Sequence, residues 1–367
     1  MSSGKALKLV LFVLAALVPE VFGASSDPTL LDGTVYTSYP LELSYIAARG
    51  IPADDSGLLS YNKVWGAMYS PRFQTGAGYA LRITLVANQP GAAEQAFHAV
   101  EVAAQTIGDD GYVSSTLPAQ YADQYPLAPA DVLSAAAFYL ADAGMGMLAL
   151  ENSDNPDAIV SSSRRQFVVD RLHRATQWLQ ANSQVLLTAD TNAPNRLMID
   201  GLAFFACGQL LNDQSHMASG EPFIQAALAT LQPEGYFLEA GGHDTQYQSV
   251  SIRAGIEILQ AGYADGTGTL RQGLITASTW MAGRIRPSGF IDSTGNSRTC
   301  GGGETFLGQF KLVSPPDVFR SLAYAGTESN NQTFLDAAGR ISNWIAANQD
   351  ANPCYAGVTY FDLYGEN

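Results

Sequence analysis

The chain has 367 residues, and its 19 Lys and Arg face 34 Asp and Glu for a formal net charge of −15. Nucleic acid and anionic membrane surfaces need a basic footprint, so both are poor partners, and a polyanionic ligand would have to find its cations concentrated locally. The three cysteines, Cys207, Cys300 and Cys354, fall in no CxxC or His/Cys cluster, so no structural zinc is indicated.

From the N-terminus, Lys5 and Lys8 precede the apolar run Leu9 to Val18, and small residues follow near Gly23 and Ala24. This is the pattern of a signal peptide over residues 1–23, because Pro19 and Glu20 cut the run short of a membrane span. No later segment reads as a span, so residues 24–367 are expected outside the cell or in the periplasm. No linker or charge block divides them, and one domain is expected. Export permits a disulfide; Cys300 with Cys354 is the expected pair, while Cys207 lies in an apolar helical run and is expected as a buried thiol.

Apolar residues recur at helical spacing over about 92–107, 129–149, 164–186, 195–212, 221–231, 246–263, 268–284, 315–325 and 333–348, so the fold class is all-α. A short phrase recurs between the runs: Asp110-Gly111-Tyr112-Val113, Glu234-Gly235-Tyr236-Phe237 and Ser288-Gly289-Phe290-Ile291. Each suits a tight turn whose aromatic packs back on a helical hairpin. Gly235 and Gly289 are 54 residues apart, two helices plus connections, and the first gap is a little over twice that. Stacked hairpins follow, about six or seven in the mature chain. Without the polar terminal repeats of an open solenoid, they are expected to close into an (α/α) toroid.

In such a ring, functional groups belong at the helix beginnings that converge on a central cleft. Three such places carry unusual polar residues. At Glu239 to Gln248, Thr245 and Gln248 read as a capping box, with two glycines before His243 and with Tyr247 in the first turn, near the positive end of the helix dipole. At Asn192 to Leu197, Asn192 reads as a cap and Pro194 as the first helical residue, leaving Asn195 and Arg196 in the opening turn. The third is the glycine-dense loop Thr294 to Glu304, whose cation is Arg298.

Amide, imidazole, guanidinium and phenol groups together suit β-elimination from a uronic acid. The C5 proton becomes removable when donors neutralise the neighbouring carboxylate; Asn195, His243 and Arg298 or Arg196 are the candidates. A tyrosine with its pKa lowered by cations can serve as base and, as phenol, as acid; Tyr247 is assigned that role. The scheme needs no metal and no other cofactor.

The stretch Gly241-Gly242-His243-Asp244-Thr245-Gln246-Tyr247-Gln248, with Ala193-Pro194-Asn195-Arg196 and Gly295-Asn296-Ser297-Arg298-Thr299, resembles the (α/α)-toroid polysaccharide lyases of alginate and glucuronan, most nearly polysaccharide lyase family 38. The resemblance is sharp over about residues 190–305. It implies cleavage of β-linked uronans, with Asn195, His243 and Arg298 as the neutralising set, Tyr247 as acid/base and Arg196 as a substrate contact. Glu239, Gln246, Glu304, Trp65 and Tyr69 complete the expected substrate contacts, and Tyr39, Tyr45, Tyr61 or Tyr69 could supply a second proton-transfer group. Two rival readings remain open. An inverting glycoside hydrolase would use carboxylates roughly 6.5–9.5 Å apart, drawn from Glu239, Asp244, Glu304 and Asp54 or Asp55. A non-catalytic glycan-binding protein would stack sugars on Trp65, Tyr69 and Tyr247.

Overall fold

Small residues set how closely the helices pack. The computed structural model describes residues 55–348 with Pro353 and Cys354; the expected signal peptide and Tyr39, Tyr45 and Asp54 lie outside them. Its helices are α1 (Ser60–Trp65), α2 (Ala77–Val86), α3 (Pro90–Ala104), α4 (Ala119–Ala122), α5 (Pro129–Glu151), α6 (Ser162–Ala181), α7 (Ser183–Ala189), α8 (Pro194–Leu211), α9 (Gln214–Ala229), α10 (Thr245–Gln260), α11 (Thr269–Gly283), α12 (Pro315–Ser329) and α13 (Gln332–Ala347). A short hairpin, β1 (Thr305–Phe306) with β2 (Gln309–Phe310), is antiparallel. The chain is therefore mainly helical, as its periodicity implies.

Each expected helical run is present, with its ends moved by a few residues. The run at 164–186 divides into α6 and α7 at Asn182. The run at 221–231 begins earlier, at Gln214, where the Asp213 side chain accepts from the Ser215 and His216 amides, and it carries Pro222 inside the helix. Three helices go unannounced: α1 and α4 are short, and α2 is almost wholly buried, so it shows no polar face for a periodicity argument to read.

Helices α2, α5, α8, α10 and α12 contact one another in that order, and each packs against the helix that follows it, α3, α6, α9, α11 and α13 respectively. Those second partners also touch in sequence, giving two layers of helices and, among the described residues, five hairpins. At the α2–α5 crossing a Cβ on Gly78 would lie 1.9 Å from the Asp142 carbonyl oxygen, and one on Gly146 would lie 2.6 Å from the Gly78 Cα. Backbones this close admit no side chain. The Asp142 carboxylate then accepts from the Gly76, Gly78 and Tyr79 amides at 2.9, 2.8 and 3.1 Å, satisfying the start of α2.

The first and last of the inner series also meet. The Arg320 guanidinium of α12 lies 3.6 Å from the centre of the Tyr79 ring of α2. Arg82 of α2 bonds Glu257 of α10 at 2.7 Å, and Arg253 holds the other Glu257 oxygen at 2.8 Å. Burial works against the Glu257 charge, but the two guanidiniums outweigh it and its pKa is lowered. Removing one partner of such a pair would leave a buried charge uncompensated.

Contrary to the sequence reading, one later helix is long and apolar enough to cross a membrane: Pro129–Glu151, with 83% of its most apolar window buried inside the fold. Its apolar surface is covered by α2, α6 and α8, so it serves as a core helix. The expected disulfide is present between Cys300 and Cys354. Cys207 is free and buried, and burial pushes its thiol up to about 12, which leaves it inert.

The recurring phrase is one structural device used three times. Gly111, Gly235 and Gly289 have φ of +80°, +100° and +87°, and the flanking residues pair as Ile107–Val113, Leu231–Phe237 and Ile285–Ile291 bridges. The aromatics Tyr112, Tyr236 and Phe290 pack on Trp178, Trp280 and Trp344 of the next outer helix, at 5.5, 5.7 and 5.8 Å between ring centres. The glycine is needed twice over, for its φ and for the neighbour: a Cβ on Gly289 would sit 2.1 Å from the Arg340 carbonyl oxygen. Gly268 has φ +71° with open space around it. Gly289→Ala is therefore expected to destabilise the protein by about 3 kcal/mol or more, against about 1 kcal/mol for Gly268→Ala, as read from urea unfolding.

Candidate active site

The start of α10 is built around Asp244. Its Oδ1 accepts from the Gln246 and Tyr247 amides at 3.0 and 3.2 Å, so Asp244 is the N-cap of α10. Its Oδ2 accepts from the Arg298 and Thr299 amides at 3.1 and 2.7 Å, and the Thr299 hydroxyl donates at 3.0 Å. One buried carboxylate thus holds the helix start and the 298–299 loop in a single geometry. The helix does begin at Thr245, but the expected capping box is absent: Gln248 turns inward to accept from the Phe237 amide and donate to the Gly235 and Ala277 carbonyls. Asn192 is likewise not a cap, since Ala193 occupies that position ahead of Pro194.

The clamp brings Arg298 onto Tyr247. The guanidinium carbon lies 4.1 Å from the ring centre, and the Tyr247 hydroxyl donates to Glu304 Oε2 at 2.9 Å while accepting from Lys311 Nζ at 3.1 Å. Arg298 makes a two-pronged bond to Glu304, at 2.9 and 2.7 Å, and its remaining nitrogen bonds Glu239. Lys311 also reaches Glu304 Oε1 at 2.7 Å. Glu304 and Lys311 flank the β1–β2 hairpin, and their backbones join through Lys311 N to Glu304 O at 2.8 Å. Cys300 ties the base of this platform to Cys354.

These contacts decide the protonation states. Against burial, Arg298 and Lys311 hold the Glu304 carboxyl down at about 2, so it is an anion. Burial pushes Tyr247 up, with Glu304 assisting and Arg298 opposing, so it is a phenol at neutral pH. The sequence expectation of a lowered tyrosine pKa is thus corrected: Arg298 does act on the ring, but desolvation outweighs it. Glu239 is 2% exposed, and burial lifts its carboxyl to about 7 despite Arg298; its Oε2 has no hydrogen-bond partner. It projects from a tight turn in which Ala240 and Gly241 both have positive φ, +50° and +83°. Ala240 and Cys300, at +54°, are non-glycine residues held left-handed on either side of the cluster.

A second group adjoins the first across the start of α8. Arg196 bonds Asp190 at 3.1 Å. Asp200, on the next turns of the helix, is fully buried, and burial with the Asp190 charge beside it pushes its pKa well up. Arg72 lies half-buried on the Phe138 ring, 3.9 Å from its centre, and reaches Ser134 at 3.5 Å, with no carboxylate paired to it among the described residues. Burial and Arg196 lower its pKa to about 10, opposed by Tyr247, Asp190 and Asp200, so Arg72 feels groups of both the α8 and the α10 starts. Glu239 also feels Arg196.

Of the expected residues, Tyr247, Arg298, Glu239 and Glu304 are brought into direct contact, and Arg196 lies nearby. Asn195 is 4% exposed with its Oδ1 unpartnered in the first turn of α8. His243 is drawn elsewhere: its ring packs on Tyr236 and Trp280, at 5.6 and 5.3 Å, and Nε2 faces the Thr294 carbonyl at 3.2 Å. It belongs to the second glycine turn. Gln246 is engaged at both ends of its amide, accepting from Ser314 N at 2.6 Å and donating to Asp317 at 3.0 Å. Trp65 and Tyr69 stand in an aromatic wall with Tyr61, Phe73, Tyr121, Tyr125 and Phe306. Phe306 brings that wall to Lys311, whose Nζ is 5.8 Å from its centre.

Sequence reasoning missed Arg72, Lys311, Asp190 and Asp200. Lys63 and Lys311 are the only lysines after Lys8, and Asp200 interrupts an apolar helix; both were legible signals. Arg72 had none. Comparison with protein-family models, with curated proteins and with solved structures gives no match, so the chemistry of these residues carries the functional argument.

Asp244→Ala is expected to cost about 2–4 kcal/mol in urea unfolding, since it removes an N-cap and leaves buried amides unpaired. Glu239 gives a pH signature. Between pH about 4.5 and about 7 the unfolded chain releases this proton while the folded chain keeps it, so stability falls as pH rises through that window. Glu239→Gln should remove that part of the slope from a pH series of unfolding midpoints.

Proposed function

We propose that this protein is a polysaccharide lyase that cleaves 4-linked uronic acid polymers, alginate or glucuronan, by β-elimination, and that its hairpins close into an (α/α) toroid of the kind found in polysaccharide lyase family 38. The observation that carries the reading is Tyr247. It is a half-buried phenol with Lys311 on its oxygen and Arg298 across its ring, in a chain whose net charge is −15. Arg72, Arg196, Arg298 and Lys311 supply the local cations that an acidic protein needs to hold an anionic sugar. The aromatic wall that ends at Phe306 offers faces for neighbouring sugar rings. The Arg320–Tyr79 contact between the first and last inner helices supports closure of the ring.

In the proposed reaction Arg72, with Arg196, receives the uronate carboxylate and draws charge out of C5. The reactive form is the Tyr247 phenolate, reached by loss of the phenol proton to solvent and stabilised by Lys311 and Arg298. The phenolate takes the C5 proton, the C–H electrons form the C4–C5 double bond, and the C4–O4 bond breaks. The new phenol returns its proton to O4. Tyr247 ends as it began, as the phenolate, and no water is consumed. One phenol serving both steps requires the C5 hydrogen and O4 on the same face of the sugar. Export past residue 23 is part of the same proposal, since polymeric substrates lie outside the cell.

One observation favours a second reading. A carboxyl lifted to about 7 with an unpartnered oxygen, Glu239, is suited to protonate a glycosidic oxygen, as the general acid of an inverting hydrolase would. The two readings separate on product: elimination creates an ultraviolet-absorbing unsaturated uronate and hydrolysis does not. Under the lyase reading Tyr247→Phe lowers kcat by roughly 100- to 10,000-fold with little change in KM. Arg72→Ala should raise KM as well as lower kcat. New reducing ends without ultraviolet absorbance, or a fully active Tyr247→Phe enzyme, would overturn it.

A further inference from the structure

At the end of α8 remote from this cleft, two of the chain's four histidines meet an aspartate. His173 of α6 with Asp213 and His216 at the start of α9 place one ligand atom each within 4.8 Å of one another. The two imidazole rings lie 5.7 Å apart. Asp213 Oδ1 is occupied by the α9 cap, accepting from Ser215 N and His216 N, while Oδ2 faces His216 Nε2 at 3.7 Å.

The tautomer of His216 is set by its neighbours. Gln180 donates through Nε2 to the Ser219 and Ser215 hydroxyls at 2.8 and 3.2 Å, which turns its Oε1 toward His216 Nδ1 at 3.1 Å. That oxygen can only accept, so Nδ1 carries the hydrogen and Nε2 presents a lone pair. The residue is 2% exposed and Nε2 has no hydrogen-bond partner. A buried lone pair aimed at a carboxylate oxygen, with no donor between them, is an arrangement that a cation resolves.

We propose that His173, Asp213 and His216 bind a divalent transition-metal ion of the zinc class, with Gln180 as the positioning residue that fixes the His216 tautomer. Two imidazoles and one carboxylate are ligands of the kind zinc takes, and a solvent molecule completes four-coordination. Ligand atoms around zinc sit roughly 3.3 Å apart, so the triad must contract; His173 is half-exposed, and Asp213 keeps its cap through Oδ1 while Oδ2 is left to reach the ion. The ion would pin α6 to α9 across the outer layer. With 18 residues in α8, it lies roughly 27 Å along the helix from Asn195, so it acts independently of that site.

Isothermal titration of ZnCl2 into EDTA-treated chain lacking a polyhistidine tag should give one equivalent of binding and a higher Tm. Cobalt(II) should show the visible bands of a four-coordinate site. Asp213→Asn keeps the cap, because Asn serves there as well as Asp, and His173→Gln alters a half-exposed residue. Both should retain the wild-type far-ultraviolet circular dichroism and lose at least about tenfold in affinity; Gln180→Ala should lose roughly 10- to 100-fold. Failure of the wild-type chain to bind zinc, or undiminished binding by His173→Gln and Asp213→Asn, would overturn the proposal.

Discussion

The Asp244 carboxylate is the interaction on which the candidate site depends. A helix start exposes amides that must be satisfied, and an N-cap normally uses one side chain for that alone. Here the second oxygen of the same carboxylate takes the amides of Arg298 and Thr299, 54 and 55 residues further along the chain. The phenol on one segment and the guanidinium on the other are thereby held face to face. Asn296 reinforces the joint, with its Oδ1 accepting from Thr245 N and its Nδ2 donating to the Thr245 and Thr299 hydroxyls.

Around that joint the cations outnumber the ionised carboxylates. Glu304 is shared between Arg298 and Lys311, and Asp190 pairs with Arg196, which leaves Arg72 as a guanidinium with no carboxylate bonded to it among the described residues. Burial then sets the protonation states. It keeps Tyr247 a phenol and Asp200 and Glu239 inclined to hold protons.

The glycine–aromatic turns explain how the outer layer carries such a site. Each locks one outer helix to a tryptophan on the next, at Trp178, Trp280 and Trp344. The junction between α6 and α8 lacks the device. There the chain inserts α7 and then Asp190, the residue that pairs with Arg196 at the start of α8. A regular repeat maintains the scaffold, and the interruption supplies the carboxylate of that pair.

How much was legible in advance follows the same division. Helix periodicity survives in a single sequence because one face is apolar and the other polar, so α3, α6 and α10–α13 could be read. The buried α2 has no such contrast and could not. Tyr247, Arg298, Glu239 and Glu304 were singled out from local polar and glycine patterns, and the fold brings them together. His243 sits in the same pattern two residues before Thr245, yet its ring turns to Trp280, because direction depends on which outer helix lies beneath the turn.

The sequence by itself determined the helical class, the hairpin period, the start of α10 and the residue types available for chemistry, since these rest on local spacing and capping. Only the tertiary structure decided that Arg72 and Lys311 join Tyr247, that Asp244 and not Thr245 caps the helix, and that the tyrosine pKa rises. Those outcomes depend on distances between segments far apart in the chain and on the water removed between them, neither of which is written in local order.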